Sequence, residues 1–114
     1  MSAKGTCYID TFNALLKGAS GLPDLTKMDK AYVVHGTVRG KTKPRISHSW
    51  LEFESGKYKF VWEPENKTTY NQADFYESHN AERDYRMTPE RYTKLVVRFK
   101  TYGPFTKKEL GAVK

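Results

Sequence analysis

Apolar positions along this chain change period several times, and each change predicts an element. In residues 6–17, Tyr8, Phe12, Leu15 and Leu16 recur at the spacing of one buried helical face, and Gly18, Gly21 and Pro23 end the run. Residues 22–30 read as a connector. Residues 31–38 are rich in β-branched and aromatic side chains and predict a first strand, followed by the basic loop Arg39-Gly40-Lys41-Thr42-Lys43-Pro44. Residues 46–63 alternate as two strands joined by Ser55-Gly56, a dipeptide suited to a tight hairpin turn, and Pro64 stops the second strand.

A two-residue Ser55-Gly56 loop predicts a register in which Glu54 faces Lys57, Glu52 faces Lys59, Trp50 faces Val61 and His48 faces Glu63. The opposite face carries Leu51, Phe53, Phe60, Tyr58, Ser49 and Trp62 and must be core. The first face begins at the turn with two opposite-charge pairs, each worth about 0.2 to 1 kcal/mol. It becomes covered only at its far end. Residues 70–85 predict a helix with Phe75, Tyr76 and His79 near one stripe. A last helix is capped by Thr88, with Pro89 at its first position, Glu90 in its first turn and Tyr92, Leu95, Val96 and Phe99 as its apolar stripe. Gly103-Pro104 closes it, and residues 105–114 read as a loose tail.

These elements make one α+β domain over residues 1–114. An N-terminal helix packs on a small antiparallel sheet of three or more strands and is followed by two helices. With 114 residues, 38% apolar, and eight Tyr, six Phe and two Trp, the chain can bury one core built from large rings, despite a mean hydropathy of −0.77. No apolar stretch reaches bilayer length, and the start Met1-Ser2-Ala3-Lys4-Gly5 has no signal-peptide core, so a soluble, cytoplasmic protein without membrane contact is expected. Cys7 is the single cysteine, which excludes an internal disulfide and suits a reducing compartment.

Candidate chemistry centres on that cysteine. A thiol at a helix start is favoured as thiolate by unpaired backbone N–H groups and the helix dipole. An imidazole facing a carboxylate, His48 and Glu63, would supply a base and its orienter. Taken singly, each has a plainer reading: Cys7 as a small buried apolar residue, His48 and Glu63 as a cross-strand charge pair. The joint arrangement, with Trp50 and Trp62 nearby, favours the chemical one, and Trp50, Trp62 and Tyr8 become candidates for lining a substrate site. His35 and His79 have no comparable sequence partners and read as surface or core polar residues. No ligand pair has the short spacing of a zinc site, so neither metal nor cofactor is expected.

The pieces Gly5-Thr6-Cys7-Tyr8, Ser47-His48-Ser49-Trp50-Leu51-Glu52 and Val61-Trp62-Glu63-Pro64 resemble the papain-like superfamily in its broad sense. The resemblance is to the compact transglutaminase-like and arylamine-acetyltransferase-like branch, and it covers roughly residues 5–64. Phe75-Tyr76 and Tyr102-Gly103-Pro104-Phe105 are similar to segments of small bacterial or bacteriophage proteins of this type. The resemblance implies Cys7 as nucleophile, His48 as general base and acid, and Glu63 as orienting carboxylate. It departs in having Glu63 where Asp is usual, and Met1 where papain has its oxyanion-hole glutamine.

The expected function is therefore cysteine-dependent acyl transfer through a thioester, by hydrolysis or transferase chemistry, on a peptide, amide or acyl-group substrate. Charge supplies the rival. A net charge of +7 and a pI near 9.5 suit a non-catalytic module on the same fold that binds nucleic acid or an acidic protein, through Arg39, Lys41, Lys43 and Arg45 and the stripe Arg91, Lys94 and Arg98.

Overall fold

The computed structural model describes residues 6–114, so the expectations resting on Met1 to Gly5 lie outside the described residues. The described chain is α+β, with a five-stranded antiparallel sheet in the order β4-β3-β2-β1-β5. The strands are β1 (Lys30–Val38), β2 (Ile46–Ser55), β3 (Tyr58–Glu63), β4 (Thr68–Asn71) and β5 (Glu82–Met87). The helices are α1 (Thr6–Lys17), α2 (Gln72–Ser78), α3 (Pro89–Phe99) and α4 (Lys107–Ala112), with one 3-10 turn at Leu25–Lys27.

Both faces of the sheet are covered. One carries the main core, where Val33, Leu51, Phe53, Trp62 and Met87 meet Ala14 of α1, Tyr92 and Leu95 of α3, and Phe105 and Val113. On the other, Val34, Trp50 and Val61 pack on Phe75 of α2. Helix α1 forms because Tyr8, Thr11 and Ala14 bury one stripe, and it lies along β2. Helix α3 begins as its sequence predicts: the Thr88 hydroxyl accepts the Arg91 N–H at 3.2 Å and Pro89 opens the first turn. Among the described residues, no helix is long and apolar enough to cross a membrane.

Three expectations are corrected. The hairpin turn is Gly56-Lys57, so Ser55 pairs with Tyr58, Glu54 with Lys59, Glu52 with Val61 and Leu51 with Trp62. Gly56 takes φ 59°, the backbone that the first central position of a II′ hairpin turn demands, and this makes Ser55 the last strand residue. Because the slip is an even number of residues, every side chain keeps its predicted face.

Residues 70–85 do not form one helix. Asn71 caps α2 through its side-chain oxygen, which accepts the Ala73 N–H at 2.9 Å, and the helix stops before Asn80, which adopts φ 46°. The chain then returns as β5, whose backbone groups find partners on the free edge of β1. That edge is absent from any local pattern.

Residues 105–114 are not a loose tail. Thr106 and Glu109 form a reciprocal capping box at the start of α4. Arg91 donates to the carbonyls of Val113 at 2.8 Å and Leu110 at 2.7 Å, and Phe105 and Val113 are buried.

Candidate active site

Cys7 sits in the first turn of α1, on the buried side of the helix, and is a free thiol. His48 lies on β2, on the face shared with Trp50 and Glu52, and Glu63 is the last residue of β3. Continuing the observed register places Glu63 opposite Trp50, so His48 meets Glu63 diagonally. The slip in register thus preserves the predicted pair in a different geometry, with His48 Nε2 2.6 Å from Glu63 Oε2.

Glu63 is held from behind as well. The chain turns after Pro64, and the carboxylate accepts the N–H of Glu65 at 3.0 Å and of Asn66 at 2.6 Å. Burial by itself would raise its pKa. The His48 hydrogen bond, the two backbone donors and the histidine charge outweigh that and lower it.

The Cys7 side chain lies beside the His48 imidazole, close enough to act on its protonation. Burial would depress the imidazole pKa, but the contacts and charges of Cys7 and Glu63 overcome it and raise it to about 9. Cys7 is 7% exposed, His48 5% and Glu63 1%, so the cluster is nearly dry and its charges interact with little screening.

Trp50 backs the imidazole, with ring centroids 6.2 Å apart, and its indole N–H donates to Glu52 at 3.0 Å. Glu52 is not the solvated partner of Lys59 that the alternation predicts. It is 2% exposed, accepts Arg83 Nη2 at 2.7 Å and accepts the Tyr76 hydroxyl in a short hydrogen bond. Its burial depends on α2 and β5, which bring Tyr76 and Arg83 over a face that looks open in the hairpin alone. Burial first, then the hydrogen bond and charge of Glu52, push the Tyr76 phenol up to about 12.

The other aromatic candidates are core residues. Trp62 points to the opposite face from His48 and donates its indole N–H to the Ser20 carbonyl at 3.0 Å. Tyr8 packs edge-on against His35, with ring centroids 4.8 Å apart. Trp50 is fully buried under α2.

His35 has partners that its sequence neighbours do not reveal. Its Nδ1 lies 2.7 Å from the Tyr85 hydroxyl, and Tyr8, Tyr85, Tyr92 and Phe105 enclose the ring. Burial lowers its pKa to about 3. A side chain at Gly103 would drive a Cβ to 2.4 Å from His35 Cε1, so a glycine there lets the chain close over the imidazole. His79 stacks on Phe75, centroids 4.4 Å apart, with Ser78 Oγ 2.9 Å from its Nδ1.

The basic candidates divide by occupation. Arg91 is spent on α4, Arg39 Nε donates to the Lys43 carbonyl, and Arg45 donates to Thr37 and to the Asn80 carbonyl beside Glu82. Lys41 and Lys43 are exposed on the β1–β2 loop. Arg98 lies against the Phe99 ring, and Lys94 lines a cavity of about 790 Å³ that also touches Leu15, Leu16, Met28 and Pro89. That cavity lies at the other end of α1 from Cys7. Among the described residues, no group of three or more His, Cys, Asp and Glu side chains could hold a metal ion.

No protein family, curated protein or solved structure matches the chain.

Proposed function

We propose that this chain is a small cysteine-dependent acyl-transfer enzyme of papain-like type, with Cys7 as nucleophile, His48 as general base and acid, and Glu63 as the carboxylate that orients the imidazole. The observation that carries this reading is the buried His48 ring, in contact with the Cys7 thiol and 2.6 Å from Glu63. Each role needs one group, and each group is held by the fold.

The Cys7 sulfur attacks an acyl carbon, forming a C–S bond, with the proton held on His48. The bond from the acyl carbon to the leaving amine or alcohol breaks as His48 returns that proton to the leaving group. Water or an acceptor amine then attacks the thioester, again with His48 taking its proton, and the thiol is regenerated. Glu63 stabilises the imidazolium formed in both halves, helped by the Glu65 and Asn66 amides that keep the carboxylate ionised and fixed. The backbone N–H of Cys7, in the first turn of α1, is the donor this reading offers to a developing oxyanion. The substrate is a peptide, amide or acyl group, and a cytoplasmic location belongs to the same proposal.

The test is the reactivity of Cys7 towards iodoacetamide and towards an acyl-thioester-forming probe, in wild type, His48→Ala and Glu63→Ala. Labelling by the acyl probe should fall by about 10²- to 10⁴-fold in His48→Ala, the range of a lost general base. An unchanged rate in His48→Ala would sink the proposal.

A further inference from the structure

Beneath the Cys7 helix lies a second polar cluster that the proposed chemistry does not use. Thr11 Oγ1, Ser49 Oγ and His35 Nε2 are buried and have no protein partner among the described residues. Thr11 and Ser49 are 0% exposed and His35 is 1% exposed. Buried hydroxyls and ring nitrogens are nearly always hydrogen-bonded, so three such atoms need a common explanation.

The fold brings them to one place. His35 and Ser49 are directly opposed in the β1–β2 pairing, so their side chains project from the same face. Tyr8 packs edge-on against the His35 ring, with ring centroids 4.8 Å apart. Thr11 follows Tyr8 by one turn on the buried stripe of α1, and α1 packs on β2, so Thr11 faces the strand that carries Ser49.

The Tyr85 oxygen accepts the Phe105 N–H at 2.7 Å and lies 2.7 Å from His35 Nδ1. A Tyr85 hydroxyl that donates to Nδ1 leaves the ring proton on Nε2, where it points a donor into the cluster. The two hydroxyls can each accept.

We propose that Thr11, Ser49 and His35 bind one internal water molecule, which accepts from His35 Nε2–H and donates to Thr11 Oγ1 and Ser49 Oγ. An internal water with three partners is the usual way such groups are satisfied. Thr11 lies one turn after Cys7 and Ser49 is the neighbour of His48, so this water joins the cysteine helix to the histidine strand. It does not depend on acyl-transfer chemistry.

The site is read directly in the intact wild-type protein by water–protein NOE and ROE spectroscopy and by ¹⁵N shifts of His35. A long-lived water with cross-peaks to the His35 ring and the Thr11 methyl, and a protonated Nε2, is the expected result. A His35 protonated on Nδ1, or Thr11 and Ser49 hydroxyls bonded to main-chain carbonyls in a high-resolution crystal structure, would overturn it.

Thr11→Val and Ser49→Ala add a second readout. Each alone strands the remaining partners and should lower Tm, whereas the double variant should lower it by less than the sum of the two. Strict additivity would mean that the two hydroxyls share no ligand, and the proposal would fail. If neither variant folds, the wild-type spectra still decide.

Discussion

His35 and His48 occupy adjacent strands, on opposite faces of one sheet, and are almost equally buried at 1% and 5% exposure. They end with opposite protonation behaviour. Burial pushes both imidazoles down. For His35 nothing opposes it: the ring is enclosed by other rings, its polar contact is the neutral Tyr85 hydroxyl, and its pKa falls to about 3. For His48 the Glu63 carboxylate and the Cys7 side chain overcome the same penalty and raise it to about 9. The difference teaches that depth in this fold does not set charge. What decides it is whether an anion is buried with the ring.

The largest break in that comparison comes from removing the anion. Glu63→Ala leaves His48 with desolvation and no carboxylate, and should cost about 3 to 5 kcal/mol in chemical denaturation. The His48 imidazole, followed by NMR, should then titrate below its wild-type value. The stabilisation from the raised His48 is complete below its ordinary pKa of 6.5 and is lost as pH rises through about 9. That from the lowered Glu63 is present above its ordinary 4.5 and is lost as pH falls. The stability gap between wild type and Glu63→Ala should be widest between these two ordinary values.

His35 gives the opposite slope. Below pH 6.5 the unfolded chain gains a proton that the folded protein refuses until about pH 3. Stability should therefore drop by about 1.4 kcal/mol per pH unit through that window. His35→Phe should remove this part of the acid sensitivity, and an unchanged acid slope would show that another group is responsible.

Glu52→Gln asks whether the buried carboxylate behind Trp50 also feeds the His48 side. It removes the charge facing Arg83 and should cost about 2 kcal/mol. Trp50 keeps an acceptor, so the His48 titration should not move. A clear shift would make Glu52 part of the charged cluster rather than an anchor for α2 and β5.

Thr106→Ala is the smallest probe and concerns the His35 side alone. It removes the cap of α4, next to the Phe105 ring that stacks on His35, and should cost about 1 kcal/mol in thermal unfolding, with no change in Cys7 labelling.

The elements legible in the chain are those with local causes. Helix α1 follows from its apolar period, although the stripe it buries is Cys7, Tyr8, Thr11 and Ala14 and Leu16 is exposed; α3 follows from Thr88 and Pro89, and the hairpin from its alternation and glycine. The His48–Glu63 pair could be anticipated because face parity survives an even slip in register, whereas the position of Cys7 beside it depends on how α1 docks. The exact pairing could not, since Ser55-Gly56 and Gly56-Lys57 are both two-residue turns, and only the backbone of Gly56 distinguishes them. Sequence reasoning missed the burial of Glu52, the cage around His35 and the order of residues 105–114. Their partners come from residues 24 to 50 positions away in the case of Tyr76 and Tyr85, and no local period reports such contacts.

Sequence alone determined that this chain has an amphipathic helix carrying its single thiol, a hairpin placing a histidine and a glutamate on one face, and the Thr88-capped helix α3. These follow from periodicity and turn chemistry, which act over a few residues. Only the tertiary structure decided that β5 completes the sheet, that α2 and Arg83 bury Glu52, and that two equally buried histidines differ in charge. Those outcomes depend on which groups share a dry environment, and that is set when distant segments meet.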